Sequence, residues 1–331
     1  MKGETRFELL GGSASPNGLD EMAREVRAGL SRPPRSIPPK YFYDSVGSQL
    51  FDAICDLPEY YLTRAERALL ERHADAIVER SRARTLVEIG SGMARKTGLL
   101  LGALERRVRS TLYVPFDIAP EPIAASAAPL LAAHAGLRIR GIVGDFGRDC
   151  ARISVAAPVS TGARLFAFLG STLGNLDERD APAMLGSLAR IMTSHDRLLL
   201  GVDLVKDPRV LHAAYNDAQG VTAAFNRNVL RVLARELDGD VDEDGFEHLA
   251  FYDPGRERIE MHLLSVRHQV FTLRGADVRA AIIPGERIMT EISRKFTRTR
   301  MEATLAGAAL RLRDWLPDPE GAFALCVAST V

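Results

Sequence analysis

The sequence predicts an α/β protein: a parallel sheet covered by helices and closed by a C-terminal antiparallel hairpin, with a second, discontinuous α+β domain. Three observations carry this expectation. Short apolar strands alternate with helical segments from Thr85 to Leu204. After Leu204 that alternation gives way to strands of period two. Two final strands are joined by the turn-forming run PDPEG.

Residues 1–40 are polar, rich in Gly, Ser and Pro, and end in RPPRSIPPK. Pro33, Pro34, Pro38 and Pro39 favour extended backbone, so an irregular arm is expected to lead into Tyr41. Leu50, Phe51, Ile54 and Leu57 recur at helical spacing until Pro58 stops the pattern. Thr63 is expected to cap the next helix, with Glu66 completing a capping box. That helix carries Ala65, Leu69, Leu70, Ala74 and Ile77 on one face and runs to about Arg80. Five strands are then expected within Thr85–Gly92, Arg109–Pro120, Leu137–Gly147, Arg164–Gly174 and Asp196–Leu204, the second ending at Asp117. Strands that alternate with helices make a parallel sheet buried on both faces.

Beyond Leu204, Asp207-Pro208 starts a helix as N-cap and first helical residue, and a second helix covers Val221–Leu237. The acidic run Asp238–Gly245 reads as a solvated loop, since its spacing is wrong for a calcium loop. Phe246–Phe296 reads as an antiparallel sheet with a turn at Asp253–Gly255. A helix at Arg298–Ala309 precedes the hairpin strands Leu310–Leu316 and Phe323–Ser329. The expected division is 64–205 with 295–331 as one domain, and 13–63 with 206–294 as the other.

The chain has 331 residues, with 43 Lys plus Arg balanced by 43 Asp plus Glu, so it lacks the basic excess of a general nucleic-acid binder. At 46% hydrophobic and 26% charged it has a globular composition, which excludes global disorder. Cys55, Cys150 and Cys326 lie far apart and form no CxxC pair, so neither a disulfide framework nor a zinc knuckle is expected. The N-terminus lacks the apolar core of a signal peptide, and no apolar run is long enough for a bilayer. The expectation is a cytoplasmic monomer that takes a small molecule and engages no nucleic acid, membrane or metal.

EIGSG at Glu88–Gly92 ends the first strand of the alternating region, where parallel sheets bind ligands. Gly90 and Gly92 let a bulky ligand approach the backbone, although a glycine-rich tight turn alone would look the same. Asp117 ends the second strand, where a carboxylate can accept both hydroxyls of a ribose. Asp145 and Phe146 follow the third and suit an adenine. A nicotinamide fingerprint needs a small residue where Arg95 stands, and no P-loop motif occurs, so S-adenosylmethionine is the favoured ligand. Lys96 is placed near the methionine carboxylate of that donor, with a solvated helix lysine as the plain alternative.

The motifs YFYDSVGSQLF…LPEYYLTRAE, VEIGSG…KT, VPFDIAPE, GDF, FLGSTLGN, YND, IEMHL and TEISRKF resemble, in order, the L-histidine Nα-methyltransferases of ergothioneine biosynthesis. The resemblance runs from about Pro39 to the C-terminus and implies a Rossmann-like methyltransferase fold. Leu62 and Met93-Ala94-Arg95 depart from the pattern without removing a chemical side chain. The implied reaction is trimethylation of the histidine α-amine to hercynine. Gly170 and Asn175 match the positions that hold that amine. Tyr60 and Tyr215 match the donors to the carboxylate, Tyr43, Glu291 and Ser293 the group around the imidazole, and Met261 the apolar wall. Of these, Asn175, Tyr43 and Gly170 are the candidates nearest the chemistry.

Without the resemblance, the same positions read plainly. Tyr43 and Tyr60 would be core tyrosines, Glu291 and Ser293 an exposed strand face, Met261 a core residue, Asn175 a turn former, and His262 a surface or structural histidine. A methyltransferase acting on another amino acid or amine, a non-catalytic S-adenosylmethionine sensor, and an NAD oxidoreductase are the competing functions.

Overall fold

The computed structural model describes residues 5–11 and 17–331, which divide into two compact units. The first comprises residues 5–11, Leu62–Val205 and Phe296–Val331; the second comprises residues 17–61 and Lys206–Lys295. In chain order the strands are β1 (Phe7–Leu10), β2 (Arg35–Ser36), β3 (Thr85–Ile89), β4 (Thr111–Asp117), β5 (Leu137–Val143), β6 (Arg164–Phe168) and β7 (Arg197–Asp203). They continue with β8 (Phe246–Asp253), β9 (Arg258–Ser265), β10 (Gln269–Leu273), β11 (Val278–Ile282), β12 (Arg287–Arg294), β13 (Leu310–Pro317) and β14 (Phe323–Thr330).

The first unit is built on one eight-stranded sheet of order β1-β5-β4-β3-β6-β7-β14-β13. Its first six strands run parallel, and β14 is antiparallel to both β7 and β13. Every residue of β3 and of β6 is buried, as continuous apolar strands in a two-sided sheet must be. Phe116, Phe166, Phe168, Phe296, Met301 and Leu305 belong to the core on one face. The strand order reverses at β3, with β4 and β5 to one side and β6 and β7 to the other. Loops leaving the carboxyl ends of β3 and β6 therefore diverge and open a crevice.

At the opposite ends of β6 and β7 lies a buried ion pair, Arg164 with Asp196, each 1% exposed at the side chain. Arg164 Nη2 donates to Asp196 Oδ2 at 2.7 Å and to the Ile191 carbonyl at 2.6 Å, while Nη1 donates to the Ala157 carbonyl at 3.1 Å. Asp196 also accepts the backbone N–H of Arg164 at 2.8 Å and that of Thr193 at 2.7 Å. Burial by itself would raise the Asp196 pKa, but the Arg164 and Thr193 donors together hold it below the usual carboxylate range.

The second unit carries a four-stranded sheet of order β2-β12-β9-β8 and a separate two-stranded sheet, β10-β11. Helices Asn17–Leu30, Ser45–Asp56, Pro208–Tyr215 and Val221–Glu236 accompany them. Asp44 and Asp207 cap their helices by accepting N–H groups of Gly47 at 2.7 Å and Arg209 at 2.9 Å. The register of β12 on β9 shifts between Met289 and Glu291, which sets Glu291 opposite Met261 and Ser293 opposite Ile259.

Three expectations are corrected. The N-terminal arm is not irregular: Asn17–Leu30 is a helix that buries Met22, Val26 and Leu30, one residue in four, a stripe masked by the surrounding Gly and Pro. β1 joins the parallel sheet as an edge beside β5, so part of the arm does fit that sheet. Thr63 is not a cap, because its helix already begins at Leu62 and runs to Ser81. Residues 13–16, where the second expected domain starts, lie outside the described residues.

Replacing Asp196 by Ala leaves the Arg164 guanidinium buried without a counter-ion and is expected to cost ~3–5 kcal/mol. Because the folded-state pKa of Asp196 is depressed, its contribution is complete above about pH 4 and is lost as the pH falls through the folded value. Urea unfolding followed by the fluorescence of Trp315, the single tryptophan, measures both effects on the first unit; an unshifted midpoint would show that the pair contributes nothing.

Candidate active site

β3 leads through Gly90, Ser91 and Gly92 toward the helix Thr97–Glu105. Gly90 has φ +65° and Gly92 φ +48°, the left-handed region that side chains disfavour, and a Cβ at Gly92 would meet nothing within 4 Å. At the end of β4, Asp117 Oδ2 accepts the Gly92 N–H at 2.8 Å and Oδ1 accepts the Ala119 N–H at 3.2 Å. Burial raises the Asp117 pKa, and these backbone donors oppose the rise. Beyond β5, Asp145 accepts the Gly147 N–H at 2.8 Å and caps the short helix Phe146–Asp149, while the Phe146 ring meets Phe116 edge-on at 5.6 Å. Gly90, Gly92, Asp117, Asp145 and Phe146 thus gather at the carboxyl ends of three adjacent strands. Open space over Gly92, a carboxylate at Asp117, an exposed Ile118 and the Phe146 ring fit the ribose and adenine of a nucleoside donor.

Glu88 braces this loop from behind. Burial pushes its carboxyl up to about 7, and its Oε2 accepts from Thr97 Oγ1 at 2.6 Å and Tyr113 Oη at 2.6 Å. Two neighbouring strands and the helix after the loop are tied through one oxygen atom.

After β6 the chain turns sharply, with Gly170 at φ +75° and Ser171 at φ +58°. Ser171 is not a glycine, so this left-handed backbone needs support. Ser171 Oγ accepts the Asp203 N–H at 2.9 Å, and the Gly170 N–H donates to the Glu66 carboxylate at 2.8 and 3.0 Å. Glu66 is fully buried and also pairs with Lys96. Gly201 on β7 makes room for it: a Cβ there would lie 1.7 Å from Glu66 Oε1. The turn ends in a 3-10 segment, Thr172–Asn175, which leaves Asn175 half-buried at its end. With its N–H engaged by Glu66, Gly170 has its carbonyl oxygen to offer to a hydrogen-bond donor.

The second unit brings six of the expected residues together. Tyr60 and Tyr215 are buried, with ring centroids 6.4 Å apart. Tyr43 stands edge-on to Phe51 and to Phe225, 5.7 Å from each. Burial raises the Tyr60 phenol well above its ordinary pKa, and its neighbours Tyr215, Cys55, Glu291 and Tyr43 push the same way. Glu291 lies on β12 beside Met261 of β9, and burial lifts its carboxyl to about 7 against the opposing field of Lys295. Ser293 Oγ accepts from Tyr215 Oη at 2.8 Å. An exposed polar face is therefore the wrong reading of Ser293, which is 3% exposed. His262 is buried too: it stacks on Phe251 at 5.5 Å, with Nε2 3.0 Å from Glu260 Oε2, which makes it structural.

Three residues escaped the sequence reading. Glu66 looked like a cap partner on a helix surface, and nothing local announces its burial. Glu88 is a lone carboxylate in an apolar strand, a signal that was there to use. Lys295 continues the two-residue period of Glu291 and Ser293; it is fully buried and donates to Ser293 Oγ at 2.7 Å and Tyr215 Oη at 3.2 Å. Among the described residues no group of three or more His, Cys, Asp or Glu side chains is arranged to hold a metal ion, and no disulfide joins the cysteines.

Comparison with known proteins places the chain among methyltransferases. The chain is 43% identical over 315 residues to the histidine N-alpha-methyltransferase of Mycolicibacterium smegmatis, covering 95% of this chain and 97% of that protein. It is 43% identical over 308 residues to the protein of the same name from Mycobacterium tuberculosis, covering 93% and 94%. To ergothioneine biosynthesis protein 1 of Neurospora crassa it is 30% identical over 302 residues, spanning 85% of this chain and 32% of that longer protein. Residues 22–330 match the family described as histidine-specific, S-adenosylmethionine-dependent methyltransferases, and the chain belongs to that family.

Proposed function

We propose that this protein trimethylates the α-amine of L-histidine, using S-adenosylmethionine, to give hercynine in ergothioneine biosynthesis. The observation that carries this reading is the assembly of Tyr43, Tyr60, Tyr215, Met261, Glu291 and Ser293 in the second unit. A carboxylate and a hydroxyl at an apolar wall suit an imidazole, whose two nitrogens both need partners when buried. The identity of 43% over nearly the whole of two histidine methyltransferases supports the same conclusion. A site for a large apolar side chain would not set a buried carboxylate against it. A nicotinamide cofactor is disfavoured by Arg95 in the glycine loop.

When bound, S-adenosylmethionine supplies a sulfonium methyl group already activated toward a neutral amine, so the protein's task is largely placement. Gly90, Gly92, Lys96, Asp117, Asp145 and Phe146 are assigned to holding the donor, with Asp117 on the ribose hydroxyls and Phe146 at the adenine. The first unit is accordingly the donor-binding domain and the second the substrate-recognition domain. Gly170, through its carbonyl, and Asn175, through its side-chain oxygen, accept the amine hydrogens and aim the nitrogen lone pair. Tyr60 and Tyr215 donate to the carboxylate. Glu291 accepts the ring N–H, Ser293 serves the other ring nitrogen, Met261 packs on the ring, and Tyr43 closes the aromatic surround. Aromatic faces also favour the quaternary ammonium of the final product.

No described helix is long and apolar enough to cross a membrane. Equal numbers of acidic and basic residues leave no global field to attract a polyanion. We propose a cytoplasmic enzyme that acts as a monomer on a small molecule, without nucleic acid or membrane.

Incubation with histidine and donor should give products heavier by about 14, 28 and 42 Da by mass spectrometry, the increments of one, two and three methyl groups on a single positioned amine. Their absence from histidine, with turnover of another amino acid, overturns the reading. Glu291→Ala should raise KM for histidine at least ~tenfold, the loss of a charge-assisted hydrogen bond, while donor affinity by calorimetry stays within about twofold. Conversely, Asp117→Ala should weaken binding of S-adenosylhomocysteine by roughly a hundredfold, through loss of two hydrogen bonds to a carboxylate.

The pH profile follows from Glu291. The ionised carboxylate is the stronger acceptor of the ring N–H, and burial lifts its carboxyl to about 7, so kcat/KM for histidine should show a rising limb near that value, beside the substrate's own titrations. In Glu291→Gln this limb should disappear, leaving only the titrations of the substrate. A profile unchanged by the substitution would remove Glu291 from the site.

A further inference from the structure

Lys295 is a buried cation that the reaction as described does not use. It is fully buried just beyond the end of β12, anchored by its own N–H donating to the Glu257 carbonyl at 2.8 Å. Its ammonium lies 4.9 Å from the centre of the Tyr215 ring. Nζ, Tyr215 Oη and Ser293 Oγ form a closed triangle, with edges of 3.2, 2.7 and 2.8 Å. One apex touches the residue assigned to the substrate carboxylate and another the residue assigned to the imidazole.

An ammonium can only donate. Each hydroxyl oxygen that accepts from it has a lone pair occupied, which biases its own proton outward and strengthens that donation. Lys295 thereby makes donors of both hydroxyls. A carboxylate is a pure acceptor and matches Tyr215. A neutral imidazole has one bare nitrogen and matches Ser293, with its N–H left for Glu291. An imidazolium offers no acceptor at all and is repelled by a nearby cation.

We propose that Lys295 is a positioning residue for substrate recognition: through Tyr215 and Ser293 it selects a molecule that carries both a carboxylate and a neutral, singly protonated ring. The proposal rests on the histidine reading above and deepens it.

The test compares kcat/KM for histidine, for histamine, which lacks the carboxylate, and for β-(pyrrol-2-yl)alanine and β-(pyrrol-3-yl)alanine. Each pyrrole analogue keeps an N–H and replaces one ring nitrogen by C–H; the better of the two is used. Tyr215→Phe should narrow only the preference over histamine, and Ser293→Ala only the preference over the pyrrole. Lys295→Met should narrow both, each by about tenfold, the usual size of one hydrogen bond. Binding of S-adenosylhomocysteine should stay within about twofold. Lys295→Gln retains a neutral donor and is read in the same way if the Met variant does not fold. A uniform loss on all substrates, or unchanged preferences, in a folded Lys295 variant overturns the proposal. A wild-type protein that does not methylate histidine refutes the function itself, a separate outcome read before any variant is made.

Discussion

Everything on the donor side depends on the reversal of strand order at β3. Because β4 and β6 flank β3 and their connections leave in opposite directions, the loops beyond Ile89 and Phe168 part, and only the first of them keeps a backbone tie to β4, with the Gly90 N–H on the Phe116 carbonyl at 2.8 Å. Side chains hold further N–H groups there. Asp117 takes the Gly92 N–H, Glu66 takes the Gly170 N–H, and Ser171 takes that of Asp203. Each of these bonds satisfies a main-chain N–H and fixes the loop or strand end that carries it. Topology and chemistry are settled by the same few hydrogen bonds.

The second unit meets a different constraint. It gathers a half-buried carboxylate, Glu291, with a buried cation, Lys295, and the hydroxyls of buried Tyr60, Tyr215 and Ser293, a set that a hydrophobic core would exclude. Such a cluster persists only when its members bond to one another, and Lys295, Tyr215 and Ser293 do. Burial raises the carboxyl of Glu291, the member of the set that the field of Lys295 opposes.

What was legible in the sequence follows the range of the forces involved. The five parallel strands and the hairpin were readable because burial on both faces writes itself as local apolar runs. The helix at Asn17–Leu30 was missed because Met22, Val26 and Leu30 are thin evidence inside a Gly- and Pro-rich stretch. Site residues were legible only through motif order: taken singly, Ser293 and Glu291 look like a solvated face. Lys295 shares their period, yet a lysine at the end of a strand gives no local sign that it is buried. The partnership of Glu66 with Gly170 spans 104 residues, and no local pattern encodes it.

The fit between Gly201 and Glu66 carries a historical consequence. Gly201 does not sit in the left-handed region that favours glycine, so its backbone would tolerate alanine; the obstacle is the Glu66 carboxylate, 1.7 Å from where a Cβ would stand, with the Phe323 ring at 3.2 Å behind it. Yet removing Glu66 first strips the Gly170 turn of its anchor. Neither substitution is an easy first step toward the double replacement, so each position constrains what the other can become. A lineage that abandoned this turn could lose both constraints, and one that kept it would inherit glycine on a central strand for a reason that strand alone does not reveal.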